Sequence, residues 1–214
     1  MRLYLSSFRM GDQPEQLVNL LDAPGPAAVI ASALDGADED VRREGVDFEL
    51  GVLAELGLDA DELDLRRYVG ATDRLTADLT RYRLVWVRGG NTFMLRHALA
   101  VSGADAVLVD LLAQDALVYG GYSAGCCVLA SSLRGLDLVD EPEAVPQTHG
   151  VPPIWDGLGV LEYAFVPHVD SPGHPETEAC GRLAEHYQAT GVAHRTLRDG
   201  QAIVRNGEGE VVVG

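Results

Sequence analysis

Ser123 stands in the segment Gly121-Tyr122-Ser123-Ala124-Gly125, where the apolar run Leu117–Tyr119 gives way to small residues. That pattern predicts a strand, a cramped turn and a helix. In such a nucleophile elbow the flanking glycines let the backbone pass through a strained corner and push one hydroxyl into the open. The free N–H groups at the start of the following helix face the same point, where they suit a developing oxyanion. The alternative reading is a glycine-rich turn whose serine only caps the helix.

A serine hydroxyl becomes a nucleophile when a base lies within hydrogen-bonding reach and a third group orients that base. Of the six histidines, His168 is the best placed, because Tyr163-Ala164-Phe165-Val166-Pro167-His168 puts it at the C-terminal end of an apolar strand. In open α/β sheets, ligands bind at that edge. His97 and His186 fall in helical stretches and are expected to face solvent, while His149 and His194 have no supporting context. His174 follows Pro172-Gly173 and reads as a helix entry or a substrate contact. The orienting acid stays open. Asp199 sits where the strand ending at Leu197 stops, Asp137, Asp140 and Asp170 are alternatives, and an aspartate before glycine is also ordinary turn chemistry. A second glycine-rich turn, Arg88-Gly89-Gly90-Asn91-Thr92-Phe93, follows a core strand. Its glycines allow close backbone approach to a ligand, and Asn91-Thr92 can cap the next helix. An N–H donor there, beside the serine turn, completes a two-donor oxyanion hole.

The elements that must position these residues alternate along the chain. Met1–Ser7, Ala27–Leu34, Leu63–Val69, Leu84–Val87 and Ala116–Tyr119 read as strands. Gln13–Leu21, Asp38–Leu56, Asp73–Leu79, Thr92–Leu99 and Ala104–Leu112 read as helices. The second half offers Leu136–Val139, Gly159–Phe165, Gly191–Leu197, Ala202–Arg205 and Glu210–Val213 as strands. Turn signals at Arg198-Asp199-Gly200 and Asn206-Gly207 make the last three an expected antiparallel meander at one edge. The order predicts an α/β fold: a single-domain three-layer sandwich over residues 1–214, with a mostly parallel central sheet flanked by helices and antiparallel strands near the C-terminus.

Composition narrows the function classes. The chain has 214 residues, enough for one large core. Its formal net charge of −17 opposes binding to nucleic acid or to anionic membranes. All its basic side chains are arginine, which excludes a lysine nucleophile, a Schiff base or a P-loop lysine. Three cysteines, two of them adjacent at Cys126 and Cys127, read as free buried thiols of a reducing compartment, and no Cys-x-x-Cys pair suggests a metal. No apolar run is long enough to span a bilayer, and the N-terminus reads as a first strand, not a signal peptide; a cytoplasmic protein is the expectation.

Three blocks together resemble the peptidase E (aspartyl dipeptidase) and cyanophycinase group of serine peptidases: Arg88-Gly89-Gly90-Asn91-Thr92-Phe93, Gly121-Tyr122-Ser123-Ala124-Gly125, and Pro167-His168 followed by Gly173-His174-Pro175-Glu176-Thr177. Their order and spacing match over most of the chain. The resemblance implies a fold related to class I glutamine amidotransferases, with Ser123 as nucleophile, His168 as general base, Asp199 as the acid, and the N–H groups of Gly90 and Ala124 as the oxyanion hole. It implies a short peptide as substrate and no metal or organic cofactor; Asn91, Asp137, His174 and Glu176 are the expected substrate contacts, and a homodimer is allowed. The chain order Ser, His, acid differs from the Ser, acid, His order of α/β-hydrolases, which argues against a lipase or esterase. Two departures stand out. Asp199 replaces the family's glutamate, and Glu178 occupies the place of the arginine that binds the substrate's aspartate side chain, with Arg182 a turn further on as a stand-in. Cleavage of Asp-Xaa dipeptides, hydrolysis of β-aspartyl-arginine dipeptides and a non-catalytic binding module are the readings carried forward.

Overall fold

The central strands Pro26–Ile30, Leu84–Val87 and Val118–Tyr122 form on short apolar runs, and the structure, a computed structural model describing residues 1–23 and 25–214, places them in one large sheet. In chain order the elements are β1 (Arg2–Ser6), α1 (Glu15–Asn19), β2 (Pro26–Ile30), α2 (Glu39–Glu55), β3 (Asp59–Glu62), α3 (Thr72–Leu79), β4 (Leu84–Val87), α4 (Thr92–Ser102), α5 (Ala104–Ala113), β5 (Val118–Tyr122), α6 (Ala124–Cys127), α7 (Ala144–His149), β6 (Ala164–Val166), α8 (Thr177–Thr190), β7 (His194–Thr196), β8 (Ala202–Asn206) and β9 (Gly209–Val213). The seven-stranded sheet runs β3-β2-β4-β5-β1-β8-β9. Its first five strands are parallel, β8 adds antiparallel to β1, and β9 adds antiparallel to β8.

Alternation along the central strands divides the core in two. Leu3, Leu5, Val85, Val87 and Tyr119 face one side, where they meet Leu75 and Leu79 of α3, Phe93 and Leu95 of α4, Leu108 of α5 and Leu183 of α8. Tyr4, Leu84, Trp86, Val118 and Tyr122 face the other, where Leu17 of α1 and Leu53 of α2 cover them. A sheet buried on both faces is the three-layer arrangement expected of parallel strands joined by helices.

Four predicted strands changed. The strand expected over Leu63–Val69 lies earlier, at Asp59–Glu62, because Asp64 accepts a bond from the Arg66 N–H and starts a 3-10 turn over Leu65–Tyr68. Leu136–Val139 is a 3-10 turn entered through Gly135 at φ 98°. Gly159–Phe165 shortens to β6, and Gly191–Leu197 shortens to β7. These two pair parallel with each other in a separate two-stranded sheet, so the meander reduces to β8 and β9. The turn at Arg198-Asp199-Gly200 therefore carries the chain from the small sheet into the large one. The helix α7 has no counterpart among the sequence expectations, since Pro146 lies inside its six residues.

Candidate active site

Three adjacent parallel strands, β4, β5 and β1, deliver the turns that build the site at the C-terminal edge of the sheet. After β5, Ser123 adopts φ 49° and ψ −118°, a left-handed conformation that a non-glycine residue holds only when its surroundings enforce it. The enforcement is visible. Its N–H reaches Ser6 O of β1 at 3.4 Å, and its carbonyl accepts the N–H groups of Cys126 and Cys127 at 2.8 and 2.9 Å. Gly125 sits against the Val87 carbonyl so closely that a side chain there has no room. After β4, Gly90 takes φ +142°, and a Cβ on it would come within 2.7 Å of Ala33 O, so the Arg88-Gly89-Gly90 turn requires glycine at that point. Among the described residues, neither the Gly90 N–H nor the Ala124 N–H has a hydrogen-bond partner.

His168 follows β6 and is almost wholly buried, at 1% exposure, again with a left-handed φ of 60°. Its Nδ1–H donates to Asp199 Oδ1 at 2.7 Å, which fixes the tautomer and leaves Nε2 with a free lone pair. Two serines hold this pair. Ser7 Oγ, just past β1, accepts the His168 N–H at 2.8 Å and donates to Asp199 Oδ1 at 2.9 Å. Ser171 Oγ accepts the Asp199 N–H at 2.8 Å, and the Ser171 N–H in turn reaches Thr177 Oγ1 at 2.9 Å. His174 stacks flat on His168, with centroids 3.6 Å apart and planes 6° apart, and Phe8 closes edge-on against both rings. Burial pushes the His168 imidazole below the ordinary histidine value, against the opposing pull of Asp199 and with a smaller push from His174, so the neutral form dominates at pH 7.

Ser123, His168, His174, Glu176, Gly89, Gly90, Arg88, Tyr122 and Phe8 line one pocket of about 160 Å³. Glu176 Oε2 stands 3.9 Å from His168 Nε2, and burial with the nearby Asp199 raises the Glu176 carboxyl above the usual range. A larger, mainly apolar pocket of about 370 Å³ lies elsewhere, between Leu65, Val69, His97, Val101 and His149, and holds none of the candidate nucleophile, base or acid.

The other candidates go elsewhere. Asn91 caps α4, accepting the Met94 N–H at 3.0 Å and donating to Glu141 O at 2.9 Å. Asp137 accepts the Gly135 N–H of its own turn. Asp140 accepts the Thr92 N–H at 2.9 Å, and burial raises its carboxyl to about 6. Asp170 is an exposed turn residue, and Arg182 and Glu178 are exposed on α8 without lining the pocket. His97, expected in solvent, is buried and stacks on His149 at 4.2 Å, because α7 and the 3-10 turn Leu65–Tyr68 pack against α4 there. Sequence reasoning missed Ser7, Phe8, Ser171 and the anchoring role of Glu49. That carboxylate, buried on α2, accepts from Tyr122 OH and from Trp86 Nε1, each at 2.8 Å, and pairs with Arg88 at 3.4 Å.

His168, His174 and Asp199 offer ligand atoms within 4.8 Å of one another. The two rings are stacked, however, so their in-plane lone pairs run side by side and do not converge. His168 Nδ1 is committed to Asp199, and His174 Nδ1 accepts the Glu176 N–H at 3.2 Å. The geometry is that of a hydrogen-bonded base, not of a metal ligand set.

The fold is α/β, and one pocket at the C-terminal edge of its sheet brings together the candidate nucleophile Ser123 and the candidate base His168. The family model described as Peptidase family S51 matches residues 43–213, and the chain belongs to that family. Uncharacterized peptidase PM1590 of Pasteurella multocida is 27% identical over 169 residues, covering 79% of this chain and 77% of that protein. Uncharacterized peptidase Lin0382 of Listeria innocua is 29% identical over 119 residues, 56% of this chain, and the match spans 54% of its own length. In three dimensions the chain superposes on "a Putative Peptidase E Protein" from Listeria monocytogenes EGD-e with a TM-score of 0.81 at 21% identity, covering 99% of this chain and 97% of the other. A peptidase from an acI-B1 actinobacterium gives 0.70 at 16% identity, covering 100% of this chain and 87% of the other. These two likenesses establish the fold. Family membership supports a serine-type peptidase.

Proposed function

We propose that the protein is a serine peptidase that hydrolyses dipeptides or short peptides at their N-terminal end through Ser123, His168 and Asp199. The observation that carries this reading is the 2.7 Å bond from Asp199 to His168, whose ring lines the same pocket as Ser123 on its strained turn. His168 Nε2 takes the proton from Ser123 Oγ as that oxygen attacks the scissile carbonyl. The new C–O bond turns the carbonyl into a tetrahedral oxyanion, which the Gly90 and Ala124 N–H groups receive. His168 then returns its proton to the leaving amine, the C–N bond breaks, and the acyl-enzyme remains. A water molecule, activated by the same imidazole, releases the acid product. Asp199 holds the imidazole in place and balances the imidazolium in each step.

The arginine expected to read an N-terminal aspartate is absent from the pocket, so strict Asp-Xaa cleavage is one arm of the reading and not its core. A second substrate class has one observation in its favour. Glu176 lines the pocket without an arginine partner among the described residues and suits a cationic group, as in β-aspartyl-arginine dipeptides. Labelling with a fluorophosphonate followed by peptide mapping tests the shared chemistry. Modification at Ser123 that is lost in His168→Ala is the expected result. An unlabelled Ser123 in the folded protein would favour a non-catalytic binding module.

A further inference from the structure

The pocket around Ser123 carries opposite charges on its two sides. On one side Glu176 stands against His168, 3.9 Å from Nε2, with no arginine paired to it among the described residues. Burial and Asp199 both disfavour its ionised form, and a cation seated beside it opposes both effects. On the other side, beyond Gly89 and Tyr122, lies Arg88. Its Nη1 donates to Gly89 O at 2.8 Å. Its Nε is buried without a hydrogen-bond partner, 3.4 Å from Glu49 Oε1, and among the described residues Nη2 makes no hydrogen bond. Glu49 is itself committed to Trp86 and Tyr122, so it holds the guanidinium in place without saturating it. Past Arg88 the pocket opens into a second cleft of about 300 Å³ that shares Phe8, Arg88 and Tyr122 with the first and adds Arg9, Glu44 and Phe48. Arg9 is stacked over Phe48 at 4.5 Å and makes no ion pair among the described residues, so this cleft brings a second guanidinium near Arg88.

We propose that this pocket reads the zwitterion of a free dipeptide, with Glu176 receiving the α-ammonium group and Arg88 the C-terminal carboxylate. The proposal rests on the peptidase reading and deepens it. An extended dipeptide spans about 7 Å, short enough for both charges to lie inside one small pocket with the peptide bond between them at Ser123. A guanidinium suits a carboxylate because its N–H groups match the two oxygens as a fork. The polarity also explains how a chain with Glu178 in place of the aspartate-reading arginine can select its substrate: by the two termini, not by a side chain.

The test compares kcat/KM for Ala-Leu, Ala-Leu amide and N-acetyl-Ala-Leu, and for Asp-Leu and Asp-Leu amide, in wild type, Arg88→Gln, Arg88→Lys and Glu176→Gln. Each comparison is a ratio within one variant, so a general loss of folded protein cancels. The expected wild-type preference for the free acid over the amide is about 10- to 100-fold, the range for a hydrogen-bonded charge. It should fall to within about 2-fold in Arg88→Gln and persist in part in Arg88→Lys, which keeps the charge and loses the fork. Glu176→Gln should erase the preference for the free amine over the N-acetyl peptide and leave the acid-to-amide ratio intact. Equal cleavage of acid and amide by wild type, or a preference that survives Arg88→Gln, would overturn the proposal. So would an Arg88→Gln defect confined to the two aspartyl substrates and equal for both, which would make Arg88 a reader of the side chain. Fluorophosphonate labelling of wild-type Ser123 separates the two levels: labelled enzyme that cleaves none of these peptides overturns the zwitterion alone, and unlabelled enzyme overturns the peptidase reading with it.

Discussion

His168 is the residue on which the chemistry turns, and its surroundings set a testable pH dependence. Burial lowers its pKa, and the Asp199 bond pulls it back only in part. An imidazole shifted this way is neutral, and able to accept the Ser123 proton, down to a lower pH than a free histidine. The acid limb of kcat/KM should therefore fall below about 6.5, the ordinary histidine value. A limb above about 7 would mean that Asp199 dominates over burial. Ser123 and His168 stand out as candidates in the sequence because one sits in a glycine-rich turn and the other at a strand end, while Asp199 is one of four acids until the resemblance favours it. Ser7 and Ser171 do not stand out, because a single serine after a strand carries no local signal. Their importance appears only when the fold brings Ser7 within 2.8 Å of the His168 N–H across 161 residues of chain.

The elements hold the nucleophile turn from behind. Trp86 of β4, Tyr122 of β5 and Arg88 all converge on Glu49 of α2, so one buried carboxylate ties a helix to the two strands whose turns carry Gly90 and Ser123. Glu49→Ala leaves two buried donors and a guanidinium without their acceptor. It should cost about 2–4 kcal/mol in chemical denaturation and lower kcat/KM together with stability. A loss under 0.5 kcal/mol would show that water replaces the carboxylate easily. The parallel strands and long helices were readable from periodicity, since β4 and β5 are short apolar runs bounded by turns. β7 was expected in the C-terminal meander, whereas it pairs with β6 in a small sheet of its own. A three-residue strand has the same composition whichever neighbour it pairs with, and only the packing of Phe165 and Val166 beneath α8 decides that. Glu49 was hidden for a related reason: within an amphipathic helix rich in acids, nothing local marks the one acid that points inward.

At the scale of the whole molecule, acidic groups dominate the surface. Thirty-three acidic residues against sixteen arginines leave a net charge of −17, which repels itself in the compact state. Raising NaCl from about 10 to about 500 mM should screen that repulsion and stabilise the fold by about 1 kcal/mol, a rise in Tm of about 2–4 °C. A falling Tm would show that favourable ion pairs, such as the cluster of Arg42 with Asp35, Glu62 and Asp64, outweigh the net repulsion. Against this acidic background the pocket brings together a buried imidazole and an arginine, the groups on which the proposed peptide binding rests. The most direct measurement is hydrolysis of a dipeptide panel, with and without an N-terminal aspartate, by wild type and Ser123→Ala side by side. Cleavage by wild type that falls by roughly 10⁴ or more in Ser123→Ala is the predicted result. Cleavage that survives the loss of the Ser123 hydroxyl would contradict the account.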